Sequence, residues 1–150
     1  MQIDTATHGE LLEVAPKGRL DSNTSPELEK ALLERIGAGQ TKITIDFGGI
    51  DYVSSAGLRV LLVAAKRTAA AKGQFSVHSM SPEIREVFGV SGFLTILKVY
   101  PDLNAVLAAG SYAVLLNTQI EATHPQAALA LNIFAGCNLI LTAINFLPAL

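Results

Sequence analysis

Apolar and polar positions along the first 110 residues switch repeatedly between a period of two and a period near 3.6. Gln2–Thr7 and Leu11–Ala15 read as short strands around a His8-Gly9 turn, with Pro16-Lys17-Gly18 as a break. Thr24 or Ser25 then offers an N-cap, Pro26 lies in the first turn and Glu27 meets the positive end, so a helix is expected to about Ile36. Leu28, Leu32 and Ile36 recur at steps of four, Glu27, Glu29, Lys30 and Glu34 take the other side, and Gly37 to Gly39 end the run. Lys42–Phe47, β-branched and closed by Gly48-Gly49, reads as a strand. From Ala56 to Lys72 a second helix is expected, because Leu58, Leu61, Leu62, Ala65 and Ala69 share one arc at 100° per residue. Gln74–Ser79 reads as a strand, Ser81-Pro82-Glu83 opens a helix through Phe88, Leu94–Val99 reads as a strand, and Pro101-Asp102 opens a last helix to about Ala109.

Strands alternating with helices define an α/β domain with a mixed sheet, partly parallel, and about four helices, since parallel neighbours need a connection long enough for a crossover. The remaining 40 residues are made differently. Of the 24 charged residues only Glu121 lies beyond Gly110, and 25 of those last 40 residues are apolar. The chain therefore divides into a domain over 1–110 and an apolar tail over 111–150. The tail is long enough for a membrane span, but Asn132, Gly136, Asn138, Asn145 and Pro148 interrupt it and no Lys or Arg follows Lys98. Packing on the domain, pairing with a second copy, or no evolved role are the other readings of the tail.

Charge narrows the partners. Eleven Lys and Arg against thirteen Asp and Glu leave a net charge of −2, without a basic field for a phosphate backbone, so no nucleic-acid partner is expected. Cys137 is the single cysteine and has no second ligand nearby, so neither an internal disulfide nor a metal site is expected, and a reducing compartment fits. Met1 to Val14 holds no apolar core of signal-peptide length and reads as the start of the folded chain.

Two short motifs dissolve on inspection. Asp46-Phe47-Gly48 spells a kinase triplet, but no phosphate loop, strand lysine or H-R-D loop precedes it, and a strand ending in a glycine turn explains it. Val53-Ser54-Ser55-Ala56-Gly57 is half of a nucleophile elbow, with Val53 where a glycine is required. A small serine hydrolase would need a histidine and an acid brought to Ser55, and His8, His78 and His124 are scattered through the sequence. Ser54 and Ser55 remain at a strand-to-helix junction, where serine is a good N-cap. A phosphate added there would change the local charge by about −1.5 to −2 at the positive end of a helix, so a cap can double as a switch. Opposite the core arc, Val60, Val63 and Ala64 lie beside Arg67, with Arg59 and Lys66 flanking them. This patch is either a protein-docking surface or a face covered by the tail or another strand.

The run Asp51-Tyr52-Val53-Ser54-Ser55-Ala56-Gly57-Leu58-Arg59-Val60-Leu61-Leu62 strongly resembles the signature of the STAS domain family of anti-sigma factor antagonists. Gly18-Arg19-Leu20-Asp21, Lys42–Phe47 and Gly92-Phe93-Leu94 match in family order, so the resemblance covers about Met1 to Gly110. It implies a small STAS-type domain that binds an anti-sigma factor, itself a serine kinase, and so frees a sigma factor. It further implies that the kinase phosphorylates Ser55 and ejects the antagonist, and that a metal-dependent serine/threonine phosphatase restores it. Asp21 matches a family acid near the phosphorylatable serine. Many phosphorylated members carry Asp where this chain has Ser54, so Ser54 is the alternative acceptor and a non-phosphorylated scaffold in a signalling or transport complex is the alternative role. The partner-binding residues expected are Asp21, Ser54, Ser55, Arg59, Val60, Val63 and Arg67. The expectation is a cytoplasmic regulator acting by protein binding, not an enzyme, without cofactor or metal, with homodimerisation through the tail as a possibility.

Overall fold

The computed structural model describes residues 1–111. Strand β1 (Gln2–His8) turns through Gly9 and Glu10 into β2 (Leu11–Leu20), and the two pair antiparallel from Gln2 opposite Lys17 to His8 opposite Leu11. Helix α1 (Ser25–Gly37), β3 (Lys42–Asp46), β4 (Ile50–Val53), α2 (Ser55–Ala70), β5 (Gln74–His78), α3 (Pro82–Val90), α4 (Phe93–Ile96) and β6 (Lys98–Tyr100) follow. Residues 103–111 are again helical, led by Asp102, whose carboxylate accepts the Ala105 N–H at 2.8 Å. The sheet runs β1-β2-β3-β5-β6, with β4 paired to β2, and every pairing after the opening hairpin is parallel. The mixed α/β architecture expected from the sequence is therefore present.

In-register neighbours point to the same side of a sheet. Leu12 and Val14, Ile43 and Ile45, and Phe75 and Val77 form one such row across β2, β3 and β5, all buried. Leu28 and Leu32 of α1 and Leu58 and Leu61 of α2 complete this core. A second aromatic group, Phe47 edge-on to Phe88 at 5.6 Å and Phe88 to Phe93 at 5.9 Å, ties α3 and α4 to the end of β3. The other side of the sheet carries Glu13, Thr44 and Ser76 in register. Thr44 and Ser76 are buried there and satisfy each other, Ser76 Oγ donating to Thr44 Oγ1 at 3.0 Å.

The structure corrects three local expectations. The break expected at Pro16-Lys17-Gly18 is instead the middle of a ten-residue strand. β2 pairs β3 through Leu12–Val14 and β4 through Gly18–Leu20, so Pro16, which has no N–H to give, falls in the gap between two parallel neighbours. Gly18, at φ +97°, makes the register shift that re-aims the strand toward β4. Ile50–Val53 is a strand that the sequence reading did not place, being four residues long with no alternation of burial. Leu94–Val99, expected as one strand, is divided: Phe93–Ile96 forms a short helix, Leu97 is buried, and only Lys98–Tyr100 pairs, matching the three positions Ser76–His78 on β5. Asp46-Phe47-Gly48 is the glycine turn expected, with the Gly48 N–H donating to Asp46 Oδ1 at 2.8 Å. The tail from residue 112 lies outside the described residues, and with it the readings of span, packing and pairing. Among the described residues no helix is long and apolar enough to cross a membrane.

Close packing fixes one glycine sterically. A Cβ on Gly73 would stand 2.0 Å from the Thr41 carbonyl oxygen, whereas one on Gly37 would meet nothing within 4 Å. Gly73→Ala is expected to destabilise the domain by about 1–3 kcal/mol or more through forced backbone movement. Gly37→Ala should be neutral or stabilising by less than about 1 kcal/mol, and urea unfolding of the two variants side by side makes the comparison.

Candidate functional site

The site is assembled around the last residue of β2. The Leu20 carbonyl accepts the Ser54 N–H at 2.9 Å, and Leu20 pairs with Val53, so the start of α2 is held to the end of β2. Gly57, on the first turn of α2, lies against the same residue: a Cβ there would be 2.6 Å from Leu20 Cγ and 2.8 Å from its carbonyl oxygen. Glycine at this step is a packing requirement. Ser54 is the N-cap, in extended backbone, and its hydroxyl accepts the Gly57 N–H at a long 3.4 Å. Ser55 is the first helical residue and is exposed. The first turn of α2 contains no acid, so the helix supplies no carboxylate of its own to offset its positive end.

Asp21 directly follows Leu20 and organises the turn into α1. Its carboxylate accepts the N–H of Asn23 at 2.9 Å and of Thr24 at 3.3 Å. Thr24 stands at the N-cap of α1, but its hydroxyl serves the turn instead, accepting from the Asp21 N–H at 3.0 Å and donating to the Arg19 carbonyl at 2.6 Å. The Asn23 N–H, then the Thr24 N–H and hydroxyl, and the Arg19 guanidinium 3.7 Å away, hold the Asp21 carboxyl below its ordinary value against a partial loss of solvation. On the adjoining surface the Arg19 guanidinium stacks over the Tyr52 ring at 4.0 Å, a pair the sequence reading missed because it depends on the β2–β4 register.

Helix α2 requires a correction to the expected docking patch. Val60 is 2% exposed and Ala64 is buried too, while Leu62 and Ala65 are only half-buried and Ala69 is exposed. Val60 is therefore core and is withdrawn from the partner-binding residues. The buried side is turned away from the arc the periodicity implied, running through Gly57, Leu58, Val60, Leu61, Ala64 and Thr68, because α2 packs against β4 and β5 and also against α1. What remains outward is a row at steps of four, Ser55, Arg59, Val63 and Arg67, in which Val63 is half-buried and the others are exposed. Arg59, itself exposed, reaches the half-buried Glu29 of α1 at 3.8 Å, a surface pair of little energetic weight.

The requirement for a hydrolase at Ser55 is not met among the described residues. His8 and His78 are both drawn to Glu13 on the sheet, at 2.8 and 3.2 Å, and neither bonds to Ser54 or Ser55. His124 lies outside the described residues. Among those residues no group of three or more His, Cys, Asp or Glu is arranged to hold a metal ion.

With this arrangement in view, the chain belongs to the STAS domain family, whose model matches residues 2–106. A relative named as an anti-sigma factor antagonist, BtrV of Bordetella bronchiseptica, is 38% identical over 93 residues, spanning 62% of this chain and 80% of that protein. The anti-sigma-B factor antagonist of Staphylococcus epidermidis is 26% identical over 99 residues, spanning 66% and 92%. In three dimensions the crystal structure of a protein from Thermotoga maritima shares the fold, with a TM-score of 0.69 at 16% identity over 71% of this chain and 92% of that one.

Two expectations follow from the geometry. Ser54→Ala removes the α2 cap and should cost about 0.5–1 kcal/mol, given the length of the bond, whereas Ser55→Ala, at an exposed helical position, should stay within about 0.5 kcal/mol of the parent; chemical denaturation separates them. Asp21, whose carboxyl is lowered in the folded state from an ordinary 3.8, supports the fold at pH values above that figure and loses this contribution as the pH falls through the lowered folded value. The stability difference between the parent and Asp21→Asn should hence be constant at neutral pH and shrink in acid, as read by thermal unfolding across pH.

Proposed function

We propose that this chain is an anti-sigma factor antagonist that docks an anti-sigma factor through the outward row of α2 and the Asp21 turn, and that phosphorylation of Ser55 breaks the contact. The observation that carries this reading is the division of labour between two adjacent serines. Ser54 is committed as the cap, whereas Ser55 is exposed at the head of the row that continues through Arg59, Val63 and Arg67. The family and the names of the relatives support the role, and the exposure of Ser55 beside a capping Ser54 supports the choice of serine.

The physics of the switch is local. A dianion on Ser55 would sit at the acid-free positive end of α2, so the fold tolerates it. In a protein contact the same dianion must be desolvated or repelled, and the complex is lost. The partner is in this reading both anti-sigma factor and serine kinase, working with ATP in the cytoplasm, and a serine/threonine phosphatase returns Ser55 to its free state. Asp21 acts by holding the Leu20 turn, and through it Ser54 and Ser55, in place.

Intact-mass spectrometry of the chain incubated with ATP and its cognate anti-sigma kinase tests the proposal, with Ser55→Ala and Ser54→Ala in parallel. One phosphate is expected on the parent and on Ser54→Ala but not on Ser55→Ala, with binding weakened at least about tenfold, or 1.4 kcal/mol. A phosphate that persists in Ser55→Ala, or binding that is unchanged by modification, would overturn the switch and favour a scaffold.

A further inference from the structure

The sheet holds a second group of reactive side chains that the docking role leaves unused. His78 ends β5 at the carboxyl end of a parallel strand and is 2% exposed, with each ring nitrogen set against a different group. Nδ1 lies 2.9 Å from Ser79 Oγ. Nε2 lies 3.2 Å from Glu13 Oε1 without the alignment of a hydrogen bond, and makes no hydrogen bond among the described residues. The second oxygen of Glu13 is 2.8 Å from His8 Nε2. An ionised carboxylate only accepts, so the proton of a neutral His78 belongs on Nε2 and the lone pair on Nδ1 faces the serine hydroxyl. Ser79 itself is half-buried and held at φ 58°, left-handed backbone for a residue with a side chain. Such backbone persists where the surroundings impose it. Gly48, whose added Cβ would stand 3.7 Å from that of Ser79, leaves the adjacent turn without a side chain.

From this geometry we infer that Ser79 is a nucleophilic modification site, activated by His78 and Glu13, that accepts an acyl group from an activated acyl donor. Ser79 Oγ attacks the acyl carbonyl and forms the new O–C bond. The bond to the leaving group breaks with its electron pair, and the hydroxyl proton passes to His78 Nδ1 and from there to the leaving group or to water. The neighbouring charges select the donor. Asp46 Oδ1 lies 4.0 Å from His78 Nδ1 and Glu13 Oε1 lies 3.2 Å from Nε2, so a phosphoryl dianion would be repelled where a neutral acyl carbonyl is not. This is the reverse of Ser55, whose helix turn carries no acid. The inference stands independently of the sigma-factor role.

The test uses p-nitrophenyl acetate on the full chain, with acetyl groups located by peptide mass mapping. One acetyl is expected on Ser79, added about a hundredfold faster than in His78→Gln, the lower range of what a positioned base contributes. The rate in the parent should follow a titration curve with pH and level off, whereas that of His78→Gln should simply track hydroxide. The titratable groups facing His78 in this profile are His8 of β1, Glu13 of β2, Asp46 of β3 and the register partner Tyr100 of β6. Ser79→Ala and Ser79→Gly should both lose the adduct, the second without backbone strain, and Ser55→Ala should label like the parent. Equal Ser79 labelling rates in the parent and a folded His78→Gln, or a parent rate that only tracks hydroxide, would overturn the inference. So would an acetyl distribution unchanged by either Ser79 substitution.

Discussion

The structure turns on one short contact, the packing of the first turn of α2 against Leu20. Leu20 is fully buried, its carbonyl holds the Ser54 N–H, and Gly57 gives up a side chain to let helix and strand meet. Because Leu20 also pairs with Val53 and leads straight into the Asp21 turn, this one residue places the ends of two strands and the starts of two helices. The register shift at Gly18 serves the same contact, releasing β2 from β3 and turning it toward β4. The serine that caps and the serine that is exposed are both referred to the sheet through the backbone bond from Ser54 to Leu20.

Two serines placed where the chain leaves a parallel strand sit in different electrostatic settings. Ser55 stands on a first helical turn with no acid, whereas Ser79 adjoins His78, whose ring lies 3.2 Å from Glu13 and 4.0 Å from Asp46. Both follow parallel strands, where the chain leaves the sheet for a helix and function concentrates in open α/β sheets. The setting, rather than the residue type, decides which chemistry each hydroxyl favours.

Much of this was legible along the chain. Periodicity located α1, α2, β3 and β5 to within a few residues, since each is long or strongly patterned and bounded by glycine or a cap. The run from Asp51 to Leu62 marked the serine junction, and the family assignment follows the same residues. Short elements were not legible: Ile50–Val53 has four residues and exists because β2 offers it a partner, and the apolar run after Gly92 contains a helical turn that no alternation of types distinguishes from a strand. Val60 shows the same limit on a helix, for its inward position depends on α1 lying beside α2.

The sequence by itself determined the α/β class, the extent of the main helices and the position of the serine junction, because these depend on local propensity, capping and hydrophobic period. Only the tertiary structure decided which serine caps and which is free, which face of α2 stays outward, and that His8, Glu13, His78 and Ser79 meet across strands. Those relations join residues far apart in the chain through strand register and close approach. Neither quantity is written in any window of neighbouring residues.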